Sequence, residues 1–593
     1  MTLRRRLLTT LLALGLGACG FNVNDPRAGE TVVSLDDPPP PIAGGTLTVT
    51  RDGAFAVASD PDRDEVQIVR LTDHTVRRVS LAVGDEPGRV IEGRDGIVHV
   101  VLRSGDALAT IDVASLALTR TPTCEAPRGV AWDGARVHVA CATGELISFE
   151  ALDQPPVRTL RLERDLRDVI AIGDRLVVTR FRAATMTVID ASGTVLTTAT
   201  PASATYTDAT THHSEAFTPM VAWRAIATGD GRVLMTHEAG RVGPGFAPTV
   251  SHRYYGGQTP GWTPPCGQNT ALHSSISLTT MDGSAQRAPI LADVGLPVDV
   301  ALHGDDVAVV SASELDSFRT AGPQLLVTRL STIDAAPTCV SAASDRRFTG
   351  EPIAVAYAPD GTLLVQTREP AELTIGDDVV TLAEGSHRDS GHELFHSDSG
   401  IGIACASCHP EGGSDGHVWQ FPDVGTRQTQ LLRGGIANSA PFHWTGDESD
   451  FVALTHTTFE QRMGGPPLSH AHSSALSRWL DQIPAEPAPP ALDAAAATRG
   501  RALFERADVG CATCHDGPRL SDETNHSVGT GLSFQSGTLL ELGARLPIMH
   551  DGCARSIEER FSNVACGGGA QHGGADALSD AERADLIAYL DTL

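Results

Sequence analysis

The 593-residue sequence predicts a multidomain chain, an all-β propeller of about seven blades followed by a mainly α module built twice. Three observations carry this. Short runs of alternating apolar residues fill 46–383, those runs recur with a period near 40, and helix-type patterns around two CxxCH motifs fill 386–593. Composition removes other classes. All 45 basic residues are arginine, so lysine-dependent catalysis is excluded. With 73 acidic residues the net charge is −28, which argues against nucleic acid as a partner.

Residues 1–19 read as an export signal. Arg4, Arg5 and Arg6 precede an apolar stretch, Leu7 to Leu16, that is well short of the roughly 20 residues a spanning helix needs. Leu16-Gly17-Ala18-Cys19 resembles the lipobox of bacterial lipoproteins, and acylated Cys19 is the expected lipid anchor to a membrane. With Phe21 rather than an aspartate two positions on, a periplasm-facing site at the outer membrane is expected. Residues 20–45, with Pro38 to Pro41 in a row, read as an extended linker.

In 46–383 the alternation at period two argues for half-buried strands, as in Ala54 to Ala58 and Ile97 to Val101. Aligning the apolar residue before each Asp-Gly or Gly-Asp turn gives Leu47, Val90, Val130, Val169, Ala225, Val300 and Val355. A period near 40 with four short strands per unit is the propeller-blade signature. The region resembles the surrogate β-propellers of bacterial periplasmic proteins. An insertion at 237–275, rich in Gly, Pro, His and Tyr, reads as a contact loop. His212, His213, His237, His252 and His273 read as solvent-facing loop histidines rather than metal ligands.

The chemistry is concentrated after residue 386. Cys405-Ala-Ser-Cys408-His409 and Cys511-Ala-Thr-Cys514-His515 are two CxxCH motifs. Two thiols add to the vinyl groups of a haem and the adjacent histidine ligates its iron, so two covalently bound haem c groups are expected. The surroundings repeat as well. Gly391 to Phe395 precedes the first motif and Gly500 to Phe504 the second; His443 follows His409 by 34 residues and His550 follows His515 by 35. Helical patterns close each half, Ser473 to Leu480 and Ser579 to Leu593, the latter with a Ser579–Glu582 capping box. These are two cytochrome c domains, 386–483 and 498–593, with a Pro/Ala-rich linker at 484–497.

The order G-x-x-L-F, C-x-x-C-H, R-x-T, W-x-G-D resembles the dihaem cytochrome c peroxidase and MauG superfamily over about a third of the chain. The resemblance implies one haem for peroxide or substrate chemistry and one for electron relay, with Trp444 on the electron path between them. For the sixth ligand of haem 1 it points to Met463, with His417 as a lesser candidate. For haem 2, His572 is favoured over Met549. Two positions depart from the family. Arg462 stands where a peroxidase glutamate would act as an acid, and cannot shuttle a proton. Gln428 stands where an asparagine helps hold an inter-haem calcium ion, which counts against calcium.

Four of the 11 cysteines go to haem and Cys19 to lipid, leaving six. Sequence proximity pairs Cys124 with Cys141 and Cys553 with Cys566, leaving Cys266 with Cys339. The expected function is electron transfer between a redox partner, basic to match the −28 charge, and two haems. The alternative is a peroxidase or MauG-like oxidase acting on hydrogen peroxide or on a substrate held by the propeller.

Overall fold

The computed structural model describes residues 31–207, 214–242, 266, 270–313, 324–341, 346–421 and 424–593. The export signal with Cys19, His212, His213, His252 and most of the 237–275 insertion lie outside them. Among the described residues no helix is long and apolar enough to cross a membrane.

The chain is mainly β, and its first part is a propeller. Five four-stranded sheets, one three-stranded sheet and one larger sheet follow one another along the sequence, each contributing one strand to a central ring. The ring strands are Leu47–Val49, Pro87–Glu92, Pro127–Trp132, Leu166–Ile172, Ser214–Ala227, Asp299–His303 and Pro352–Tyr357. Each lies beside the next, and Pro352–Tyr357 returns against Leu47–Val49, closing the circle. All seven apolar positions aligned from the sequence fall on these strands, one in each. Closure is apolar: Leu47, Ala56 and Ala58 of the first sheet pack on Ala354, Leu364 and Leu373 of the last. The larger sheet carries the insertion, tied down by a Cys266–Cys339 disulfide. The other two expected bridges, Cys124–Cys141 and Cys553–Cys566, are also present.

His237 and His273 are not loop histidines. They sit on the paired strands Val233–Arg241 and Leu272–Thr279, fully or nearly enclosed, and burial pushes them down to about 4 and about 3. Alternation could not show this, because the strands of this sheet are buried on both faces.

The described part of the expected linker, 31–45, is a packed strap rather than a spacer. It runs between the propeller and the C-terminal region, and its backbone is used by both. Trp479 Nε1 donates to the Pro39 carbonyl at 2.9 Å, Arg368 Nη2 to that of Pro40 at 2.5 Å, and Ser390 N to that of Val33 at 2.9 Å. Proline suits this role: it leaves the carbonyls free to accept while offering no N–H to satisfy.

The C-terminal region is made of short helices, coil and two small two-stranded sheets. Ser390–His396 and His470–Gln482 pack together ahead of and behind the first CxxCH motif; Ala494–Phe504 and Asp580–Leu590 do the same around the second. The expected 484–497 linker is shorter than its composition implied. Asp493 caps the helix that starts at Ala494, accepting from Ala495 N and Ala496 N.

Charge joins this region to the propeller. Glu411, 2% exposed and just past the first CxxCH motif, meets Arg167 at 2.5 Å, Arg128 at 2.5 Å and Arg103 at 3.0 Å. Glu486 and Glu541 bind Arg182 of the propeller and Arg433. Burial alone would raise the Glu411 carboxyl, but its three arginines hold it well below the ordinary range.

Candidate functional site

Each CxxCH motif opens a cavity. Cavity 1, about 240 Å³, is lined by Cys405, Cys408, His409, Trp419, Phe442, Phe459 and Met463 among others. Cavity 2, about 330 Å³, is lined by Cys511, Cys514, His515, Phe504, Met549, His550 and His572 among others. Among the described residues the only cysteines outside disulfides are the four of these motifs. Both motifs coil into a helical turn, so that His409 N donates to the Cys405 carbonyl at 2.9 Å and His515 N to that of Cys511 at 3.0 Å. The turn brings both thiols and the imidazole to one wall.

Three imidazoles share an arrangement suited to iron. Nδ1 of His409 lies 3.2 Å from the Gly413 carbonyl oxygen, that of His515 3.1 Å from Leu520, and that of His572 3.1 Å from Gly567. A carbonyl can only accept, so Nδ1 carries the proton and Nε2 keeps its lone pair. Burial lowers all three, His409 to about 4 and His572 to about 3, with Arg560 and His515 adding to the effect at His572. They are therefore neutral, as a metal ligand must be.

His515 and His572 face each other with ring centroids 6.3 Å apart. Both rings line cavity 2, where they could hold a metal ion between them. In cavity 1, Met463 ends the His456–Arg462 helix and is held by Ser399 Oγ donating to its carbonyl at 2.8 Å. His443 and Arg462 line the same cavity. Four arginines line the cavities: Arg427 and Arg519 line cavity 1, Arg560 lines cavity 2, and Arg545, which burial pushes down to about 10, lines both. The residues fit two covalently attached haems.

His417 is not brought to either cavity. It packs edge-on against Trp419 at 4.4 Å and its Nε2 faces Gly240 of the propeller. His417 thus lies against the Val233–Arg241 strand, a contact with no local sequence signal.

Trp444 lines both cavities, and its Nε1 donates to the Gln428 carbonyl at 2.8 Å. Around it the two halves are related by an approximate dyad. Gln428 N donates to the His550 carbonyl at 2.9 Å, and Gln535 N to the Trp444 carbonyl at 2.8 Å. Gln428 Nε2 donates to the carbonyls of Arg545 and Pro547, and Gln535 Nε2 to those of Ser439 and Pro441. His443 and Met549 take matching left-handed backbones, φ +67° and +74°. The counterpart of His550 is thus Trp444, not His443, and both follow their CxxCH histidine by 35 residues. Matching histidine with histidine hid the exact repeat.

Calcium does not fit here. The cation would need several oxygen ligands. At Gln428 an amide N–H group already occupies the carbonyls of Arg545 and Pro547, so the side chain offers a donor where an ion requires an acceptor.

These features define a β-propeller protein whose C-terminal region carries two CxxCH motifs, each at its own cavity. No family model matches the chain. It is 26% identical to the hydrazine synthase subunit gamma of Kuenenia stuttgartiensis, over 32% of this chain and 72% of that one. It is 31% identical to the methylamine utilization protein MauG of Methylorubrum extorquens, over 16% of this chain but only 34% of that relative's length. Among solved structures, a chain of Kuenenia stuttgartiensis hydrazine synthase is 16% identical with a TM-score of 0.41, covering 58% of this chain and 97% of its own. A virginiamycin B lyase of Staphylococcus aureus is 10% identical with a TM-score of 0.35, covering 57% and 94%. The propeller assignment rests on strand order and ring closure rather than on these likenesses.

Proposed function

We propose that the chain is an exported dihaem c-type cytochrome that passes electrons between a redox partner and two covalently bound haems. The observation that carries the reading is the pairing of each CxxCH motif with its own cavity, with Trp444 in the wall common to both. When bound, the haems supply one-electron chemistry. Cys405, Cys408, Cys511 and Cys514 would attach them, His409 and Met463 would hold the iron at the first motif, and His515 and His572 would hold it at the second. The chain's own work is to hold four ligands in neutral form, to keep water from the apolar walls, and to set the distance between the two sites. Three disulfides suit an oxidising compartment, in keeping with export and a lipid anchor at Cys19. The −28 charge favours a basic partner protein.

A second reading, a peroxidase or MauG-like oxidase, is favoured by His443 and Arg462 beside Met463 in cavity 1. There His443 would supply a basic nitrogen and Arg462 a fixed cation for peroxide chemistry at a bound haem, which partly offsets the missing glutamate. Visible spectra of oxidised and reduced protein, with and without carbon monoxide and peroxide, separate the two. Electron transfer alone requires two low-spin haems inert to both reagents. Carbon monoxide binding at one haem, with a peroxide-dependent spectral change, overturns it in favour of the oxidase.

A further inference from the structure

Trp444 has a partner across the dyad. The His550 and Trp444 rings are 6.5 Å apart at 70°, and His550 stacks on Phe534 at 3.8 Å and 21°. Trp444 lines both cavities, whereas His550 and Phe534 line cavity 2. An unbroken run of aromatic rings therefore leads from the wall of cavity 1 into cavity 2.

The hydrogen bonds that hold this run are reciprocal. Gln428 accepts from Trp444 Nε1 at its carbonyl and donates through its own N–H to the carbonyl of His550. Gln535, next to Phe534, donates to the Trp444 carbonyl and to the loop before it. Both glutamines are buried, and each has its side-chain amide spent on backbone of the opposite half. The backbone segments that carry the two rings are therefore tied to each other across the halves.

We propose that electrons cross between the two haem sites through the ring pair Trp444 and His550, with Gln428 and Gln535 as positioning residues, rather than through Trp444 alone. The inference rests on the dihaem reading above. One electron leaves the reduced site and one arrives at the oxidised site; no bond forms or breaks and no proton moves. Aromatic groups in close contact carry such a step better than aliphatic ones, and the buried amides fix their spacing before the electron arrives.

The test uses the full holoprotein. Haem content is measured first, by the alkaline pyridine spectrum. Parent and variants are then reduced by a pulse of a one-electron viologen radical, and electron redistribution between the haems is followed at wavelengths that separate them. His550→Leu is expected to slow redistribution on the order of tenfold, with both haem spectra, both potentials and the melting temperature as in the parent. His550→Phe, which keeps a ring, recovers most of the rate. Gln535→Leu slows it less and broadens the kinetics, because Trp444 then samples several positions. A parent-like rate in His550→Leu, with Trp444→Leu slow, overturns the pair and leaves Trp444 alone. A slow His550→Leu that His550→Phe does not recover, or that comes with a shifted potential, assigns His550 a packing role and also overturns it. A parent with fewer than two haems fails at the first measurement, which identifies the fault as the dihaem reading itself.

Discussion

The two CxxCH halves share a plan and differ in what holds them. The first has no core of its own. Ile403, Trp419, Phe459 and Trp479 belong to one apolar cluster with Phe181, Trp223, Val298 and Ile353 of the propeller, and Ile42 of the strap lies in the same cluster. The second has a separate core, Leu503, Phe504, Ile548, Ile557, Phe561 and Leu586, closed by the Cys553–Cys566 bridge. The propeller supplies much of the apolar support of the first half and none of the second half's own core. Stability of the first site is therefore a property of the whole molecule, whereas that of the second is local.

The largest expected effect breaks the symmetry of cofactor load. Replacing Cys405 and Cys408 by alanine removes the attachment of one haem, so the pyridine spectrum should report half the parent haem, with the bis-histidine signature of the second site intact. Two haems in that variant would refute covalent attachment at the first motif.

Next comes the charge hub. Glu411→Gln leaves Arg103, Arg128 and Arg167 without their shared carboxylate, and breaking a buried pair of this kind costs about 3–5 kcal/mol. Urea unfolding should show the propeller and first-site signals losing stability together, with the second site little changed. The pH dependence has a definite sign. The folded carboxyl titrates well below its ordinary value of 4.5, so its contribution is complete above that value and is lost as pH falls below it. The parent should weaken on acidification below about 4.5, and Glu411→Gln should flatten that slope. Weaker still is the local staple. Replacing Cys553 and Cys566 by serine opens a 13-residue separation and should cost about 3 kcal/mol, confined to the second half.

These differences mark where the sequence was legible. Ring strands could be aligned because each blade repeats an apolar residue before a tight turn, and the CxxCH motifs because the chemistry needs those residues adjacent. All three disulfides followed from nearness along the chain and elimination. Long-range features left no such trace. Glu411 meets arginines hundreds of residues away, the proline strap reads as a spacer until its carbonyls are seen to be used, and His237 and His273 look like loop residues until their strands are buried on both faces. The dyad was within reach, since Trp444 and His550 both lie 35 residues beyond their CxxCH histidines. It was missed because residue type was matched instead of position.

The smallest expected effect is the sharpest test of how the propeller has reshaped the first half. His417 follows His409 by eight residues, a position from which a loop histidine could reach iron. Its Nε2 instead faces Gly240, where even a methyl group would come within 3.1 Å of it, and burial pushes the imidazole down to about 4. His417→Ala should leave both haem spectra unchanged, because no ligand is lost. It should cost roughly 1 kcal/mol or more of stability, from the edge-on contact with Trp419 and the small void left at the propeller seam. Met463→Ala, by contrast, should alter the spectrum of the first haem with a smaller change in melting temperature. If His417→Ala changes the spectrum and Met463→Ala does not, the ligand loop of the first half reaches inward despite the seam, and the contrast between the two halves loses its basis.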